Sequence, residues 1–494
     1  MVASRNQEYS LKQGKKNSIM GLRKLSSLEK FFYSRSVLHL HSCFYVGIQL
    51  NHLPEKSQLQ QALKCTITEY TELHCNVAIG DEDSEEFIKI IGRSFEFDDV
   101  VEYVPWKQFD QDKINYVFQN YAFSYNTEKP LWKILVLPYE QKLILLMSHV
   151  LFDGMAGVLI WKEILKNLNQ FPTTIDTNSD EVYSPLESQH LDEDHHPYDD
   201  WPSTWRSTLT RFFIGQYLKW QPLAKMVEPN PDQFQFTNYS YPDGLIRNRK
   251  NPVTGCYEIR NDNLQWNLHL KTQELQNILA LCKKNQVSLT SMLVALFSLS
   301  ITESADPQKY TGFQLKIDVP INTRFACNRF LHDDQYTSKL GNFVANTALT
   351  QSVKEKQDIW QLANKFQAAI AQNSQAGIQD AINECKLLDL INIEQFLKAK
   401  IAAGKPASTF EVSNLGYHSF DDIEGPFQVK DAFFNQPQGI GSIFFCSVIS
   451  TKGGFNCNIT YPKDLETDLK PCLQYCSEWV RRESKKDGET TWQS

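Results

Sequence analysis

Apolar positions along this chain recur in two rhythms. Leu25, Leu28, Phe31 and Phe32 have a helix-like spacing and lead into Cys43-Phe44-Tyr45-Val46-Gly47-Ile48-Gln49-Leu50, a run that predicts a strand. A polar helix is expected at about 55–69. The runs Leu131 to Leu137 and Leu143 to His149, joined by Pro138-Tyr139-Glu140-Gln141, predict a hairpin with a buried second strand. Just past it come Asp153-Gly154-Met155-Ala156-Gly157, then Val158, Trp161, Leu165 and Leu168 at helical spacing. The local order is strand, glycine-bearing turn, amphipathic helix.

From Asp176 to Asp200 the rhythm stops: nine Asp or Glu, no Lys or Arg and two prolines predict a solvated crossover, continued to about Gly255. Leu275, Ile278, Leu279 and Cys282 then predict one helix, and Ser288 to Ser300 a second, more apolar one. Leu315 to Val319 looks like a strand and ends in Pro320-Ile321-Asn322-Thr323-Arg324. Helical patterns fill about 353–374 and 379–398. Strand-like runs at Thr409 to Val412, Ser442 to Ser450 and Phe455 to Tyr461 precede a final helix at about 464–482. Strands and helices mix without strict alternation, which predicts an α+β or mixed-sheet fold rather than a parallel Rossmann sheet.

Composition narrows the function. With 494 residues the chain is too long for one ordinary core and has room for two large domains. Hydrophobic residues at 41% and charged residues at 22% describe a folded, core-forming protein. A net charge of −8, with no basic face or nucleic-acid-binding signature, argues against a nucleic-acid partner. The eleven cysteines are scattered without a Cys-x-x-Cys pair, which fits a reducing, cytoplasmic compartment. No run reaches the roughly 18–20 apolar residues of a spanning helix. The first 30 residues carry seven Lys or Arg against two Glu and lack the apolar core of a secretory signal, so they read as a basic tail.

His149 is the singular chemical group. It ends an apolar strand beside a glycine turn, where a side chain can face a cleft, and a histidine near neutrality can take a proton from an alcohol or amine attacking a carbonyl. The bland alternative is a satisfied structural histidine. Asp153, past the turn, is better placed to hold it through a buried Arg than to touch His149.

His149-x-x-x-Asp153-Gly154, between an apolar strand and an amphipathic helix, resembles the signature of the two-domain acyltransferase superfamily of chloramphenicol acetyltransferase, plant BAHD enzymes and peptide-synthetase condensation domains. Val319-Pro320-Ile321-Asn322-Thr323-Arg324, Leu340-Gly341-Asn342-Phe343-Val344 and Ser413-Asn414-Leu415-Gly416 follow in the family's order. With Leu25-Ser26-Ser27-Leu28-Glu29-Lys30-Phe31-Phe32 near the start, the chain is most similar to the fungal alcohol O-acetyltransferases, from about residue 20 onward. The Asp-Phe-Gly-Trp-Gly motif of plant BAHD enzymes is absent, and Ser413 to Gly416 stand at its place.

The resemblance implies two chloramphenicol-acetyltransferase-like domains with mixed sheets flanked by helices and an active-site tunnel at their interface. The boundaries expected are a flexible basic tail over 1–20, an N-terminal acyltransferase domain over 21–175, a crossover over 176–260 and a C-terminal acyltransferase domain over 261–494. It further implies His149 and Asp153 as the catalytic pair of the motif, with His149 the base, and Gly154, Arg324 and Asn342 as structural support of the site. Ser413, Asn414 and Gly416, expected in a tight turn after a strand, are candidates either for holding the oxyanion and substrate or merely for satisfying that turn. Acetyl-CoA is the implied co-substrate and a small hydrophobic alcohol the leading acceptor. A lipophilic, sphingoid-like amine is the alternative, followed by thioester hydrolysis or a non-catalytic binding role. No metal is implied, since Asp192-Glu193-Asp194-His195-His196 reads as a solvated acidic loop more readily than as a metal site. A monomer is expected. The basic tail and the final helix (Leu465, Leu469, Leu473, Cys476, Val480) either touch a membrane, at the endoplasmic reticulum or lipid droplets, or are respectively disordered and packed.

Overall fold

The computed structural model describes residues 23–80, 85–170, 179–185, 195–228, 230–236, 263–304, 312–353, 357–420 and 424–485, and the backbone of 246–250 and 257–259. In the first half, β1 is Phe44–Leu50, β2 Val101–Tyr103, β3 Trp132–Leu137 and β4 Lys142–Met147. In the second, β5 is Asn263–Lys271, β6 Gln314–Asn322, β7 Val344–Ser352, β8 Ser408–Tyr417, β9 Val429–Asn435, β10 Ser442–Thr451 and β11 Gly454–Pro462. The helices that matter are α1 Ser27–Val37, α2 Lys56–Glu69, α3 Gly154–Gln170, α4 Trp205–Trp220, α5 Leu289–Ser304, α6 Arg324–Leu331, α7 Ile378–Cys385 and α8 Glu466–Glu483. This is an α+β molecule with two mixed sheets flanked by helices.

One sheet has five strands in the order β9-β1-β4-β3-β2, the other six in the order β5-β11-β10-β8-β6-β7. The hairpin of β3 and β4 is antiparallel, with Trp132 opposite Met147 and Leu137 opposite Lys142. Strand β4 is apolar on both sides because both sides are covered. Leu143, Leu145 and Met147 enter the main core with α3, while Ile144 and Leu146 join a smaller core with Val117 and Phe118. Helix α3 lays Ala156, Ile160, Trp161, Ile164 and Leu168 on that sheet, and the Trp161 indole donates to the Val46 carbonyl at 2.9 Å.

Three features depart from the sequence reading. Strand β9 comes from the second half yet pairs antiparallel with β1, completing the first sheet, a strand that the periodicity does not reveal. The acidic crossover is not simply solvated: Glu181–Tyr183 pairs with Phe95–Glu96, and Tyr183, Tyr198 and Trp201 are buried, because its few aromatics outweigh its acidic average. Helix α4, read as irregular sequence, is a regular helix capped by Thr204, whose side chain accepts from the Ser207 amide. The final helix α8 packs Leu469, Leu473, Cys476 and Val480 into the second core, so its apolar side is not available to a membrane. Among the described residues no single helix is long and apolar enough to cross one.

Candidate active site

Where β4 ends, His149 faces a cavity of about 590 Å³. Its walls come from distant parts of the chain: Phe32 and Arg35 of α1, Ile321 and Asn322 at the end of β6, Val344 and Ala345 at the start of β7, and Glu411, Ser413, Asn414 and Leu415 of β8. The cavity therefore exists only when strands of the six-stranded sheet meet the histidine turn of the five-stranded one.

The His149 ring is held as a plate. Phe32 stacks on it at 4.0 Å between centroids and 6° between planes, and Phe44 lies 4.9 Å away on a tilt. Burial, with the Arg35 cation as second cause, lowers its pKa to about 3, so the imidazole is neutral at physiological pH. The backbone carbonyls of His149 itself and Phe152 act against that lowering without reversing it. Asn342 steadies the turn: its Nδ2 donates to the His149 carbonyl at 2.6 Å and lies 3.3 Å from Nδ1. The Asn342 carbonyl meets His196 Nε2 at 3.2 Å, which gives that histidine a structural place. His195 Nε2 meets the Asp200 carboxylate, and no cluster of three metal-binding side chains occurs among the described residues. Residues 192–194 of the acidic loop lie outside those described.

Asp153 is buried and its carboxylate accepts four hydrogen bonds. Arg324 supplies Nη1 at 2.7 Å and Nη2 at 3.1 Å, and the amides of Ala156 and Phe343 supply 2.8 and 2.9 Å. The Ala156 bond closes the first turn of α3, where a carboxylate also meets the helix dipole favourably. One carboxylate thus fastens the histidine turn, α3, α6 and the Gly341–Phe343 segment together. Gly154 sits in close approach: a Cβ there would stand 2.5 Å from Leu415 Cδ2, and the Leu415 side chain would have to shift.

Ser413, Asn414 and Gly416 do not form a turn after a strand, as the sequence suggested; they lie inside β8. Pairing with β10 runs on through Ser413 opposite Ser447 and Asn414 opposite Val448 to Tyr417 opposite Ser450. Three steps on β8 there match two on β10, so the strand carries a bulge, with Gly416 at φ +91°. The bulge lets Leu415 reach Gly154. Ser413 and Asn414 line the cavity with His149, whereas Gly416 does not. The Asn414 side chain is engaged by Thr290 Oγ1 at 3.0 Å and the Gly416 amide at 2.8 Å, so Ser413 is the freer donor.

Several cavity groups were not singled out from the sequence. Arg35 lies 4.8 Å over the Phe32 ring, its Nε and Nη2 buried without partners, and burial lowers its pKa to about 10. Glu411 accepts from Gln436 Nε2 at 2.9 Å, and burial, reinforced by Asp318, raises its carboxyl to about 7. The available signal was a lone charge inside the apolar stretch Thr409-Phe410-Glu411-Val412. Ser148, by contrast, is buried against the Tyr125 hydroxyl at 3.0 Å and does not line the cavity.

Similarity to known proteins agrees with this layout. The chain is 41% identical over 469 residues to the N-acetyltransferase SLI1 of Saccharomyces cerevisiae, covering 92% of this chain and 99% of that one. Among solved structures, the TRI3 trichothecene 15-O-acetyltransferase of Fusarium sporotrichioides superposes with a TM-score of 0.65 at 12% identity, over 94% of this chain and 95% of that one. The epimerization domain of tyrocidine synthetase B gives 0.61 at 10% identity, over 95% and 99%. These two likenesses establish the fold: two chloramphenicol-acetyltransferase-like domains. The sequence profile of the alcohol acetyltransferase family matches residues 24–479, and the chain belongs to that family of acyltransferases.

Proposed function

We propose that this protein is an acetyl-CoA-dependent N-acetyltransferase of a lipophilic primary amine, with His149 as general base. The observation that carries the reading is a neutral, fixed imidazole facing a large, mostly apolar cavity that also holds the half-buried carboxyl of Glu411. The name of the yeast relative supports the amine over the alcohol.

An amine arrives as an ammonium and must lose a proton before it can attack. The Glu411 carboxylate, with a pKa near 7, is matched to receive it. The free amine adds to the thioester carbonyl, forming the C–N bond and a tetrahedral oxyanion. The excess proton on the adduct nitrogen passes to the neutral His149 imidazole, the C–S bond breaks, and the imidazolium returns the proton to the departing thiolate. Amide and free CoA result. A histidine with a depressed pKa is a weak base, and the N–H of this adduct is far more acidic than an alcohol O–H, so the amine demands less of it. The Ser413 hydroxyl is the candidate donor to the oxyanion.

The family match favours a second reading, transfer to a hydrophobic alcohol through the same histidine. Purified protein with acetyl-CoA, assayed for thiol release with a long-chain amine, the alcohol of equal length and no acceptor, separates the two. Release with the amine supports the proposal, release only with the alcohol supports O-acetylation, and equal release without acceptor indicates hydrolysis.

A further inference from the structure

Helix α4 has two contrasting sides. Toward the molecule, Arg211 donates to the Lys386 carbonyl at 3.1 Å, and the Thr204 hydroxyl at its cap bonds Asp380 of α7 at 2.5 Å. At about 100° per residue, Trp205, Leu209, Phe212, Phe213 and Trp220 fall on the other side, within a stripe about 100° wide. None of them is covered: Trp205 is 71% exposed, Phe212 58%, Phe213 64% and Trp220 83%. A soluble surface rarely leaves so many large apolar groups together without a use.

The charges around the stripe say what covers it. On the same helical wheel Arg206 and Lys219 border its two edges, and α4 contains no acidic residue, although the chain as a whole has a net charge of −8. The Arg206 guanidinium also lies 5.5 Å over the Trp205 ring. Aromatic residues at both ends of an apolar stripe with cations at its margins suit the boundary between acyl chains and anionic headgroups. A second copy would set these cations against their equals, which is unfavourable.

We infer that α4 is a docking helix for the surface of an anionic phospholipid bilayer. Its position gives the contact a purpose, one that rests on the lipophilic acceptor proposed above. The helix leans on α7 and the turn after it, and Ala381, Cys385 and Leu388 of those elements line the His149 cavity on their inner side. Docking there sets the membrane beside a wall of the acceptor cavity.

The test is co-sedimentation of the full chain with vesicles of phosphatidylcholine alone or with phosphatidylserine added. Wild type is expected to bind the anionic vesicles and to be weakened by salt. Phe212→Ser with Phe213→Ser should lower the bound fraction about tenfold or more. Arg206→Glu with Lys219→Glu should abolish the preference for phosphatidylserine. Both variants should melt like wild type because the replaced groups are exposed. No binding by wild type, binding unchanged in both variants, or a wild-type dimer dissociated by Phe212→Ser and Phe213→Ser would overturn the inference. Vesicle binding needs no turnover, so failure of the N-acetyltransferase reading would leave this result standing, and failure here would leave that assay untouched.

Discussion

Arg324 grips both carboxylate oxygens of Asp153, at 2.7 and 3.1 Å, across the seam between α6 of the second half and the histidine turn of the first. The pair is buried, and Asp153 also carries two backbone amides. Its effect on His149 is indirect: it fixes the turn that aims the ring.

Removing either partner leaves the other charge buried and unmatched. Asp153→Ala and Arg324→Ala are each expected to destabilise the fold by about 3–5 kcal/mol. Thermal or urea unfolding checks this. Wild-type stability in either variant would mean that the pair does not hold the seam.

The two polar groups of β8 beside the cavity should separate by kinetics. Ser413→Ala is expected to lower kcat with little change in KM, because an oxyanion exists only in the transition state. Asn414→Ala should act mainly on stability, since its amide is committed to Thr290 and the strand bulge. Equal kcat losses without destabilisation would reverse these roles.

The pH profile follows from two groups that face the cavity. At saturating amine, kcat should rise through about 7 as Glu411 ionises, and Glu411→Gln should remove that break. His149 should add no break at its ordinary 6.5, being neutral down to about 3. Its folded pKa lies below the unfolded one, so as pH falls the unfolded chain is protonated first. The stability this contributes is complete above 6.5 and is lost as pH falls toward 3. Glu411, with a raised folded pKa, acts in the opposite sense between about 4.5 and 7. His149→Ala should therefore lose less melting temperature between pH 7 and pH 5 than wild type, and an equal loss would contradict the assignment.

The helix α3 and the strand β6 were legible from one dominant periodicity each, and the hairpin of β3 and β4 from two apolar runs joined by a polar turn. His149, Asp153, Arg324 and Asn342 were legible as a set through motif order, although their meeting point spans 193 residues of sequence between His149 and Asn342. Strand β9 was not, because it completes a sheet that begins almost four hundred residues earlier, and only tertiary pairing reveals it. The cavity charges Arg35 and Glu411 were missed for a related reason: each sits in a stretch that reads as core, and only the assembled walls show that it faces space. The bulge at Asn414–Tyr417 needed the β10 register. Helix α4 was obscured because it follows the acidic crossover and turns its large apolar residues away from any core.

The central claim is that His149 takes the proton during acetyl transfer, and its most direct measurement is kcat for acetyl-CoA and a long-chain amine with His149→Ala beside wild type, alongside the melting temperature at neutral pH. The account predicts a loss of about 10²–10⁴-fold with the fold retained; a variant that keeps kcat within a few-fold of wild type would contradict it.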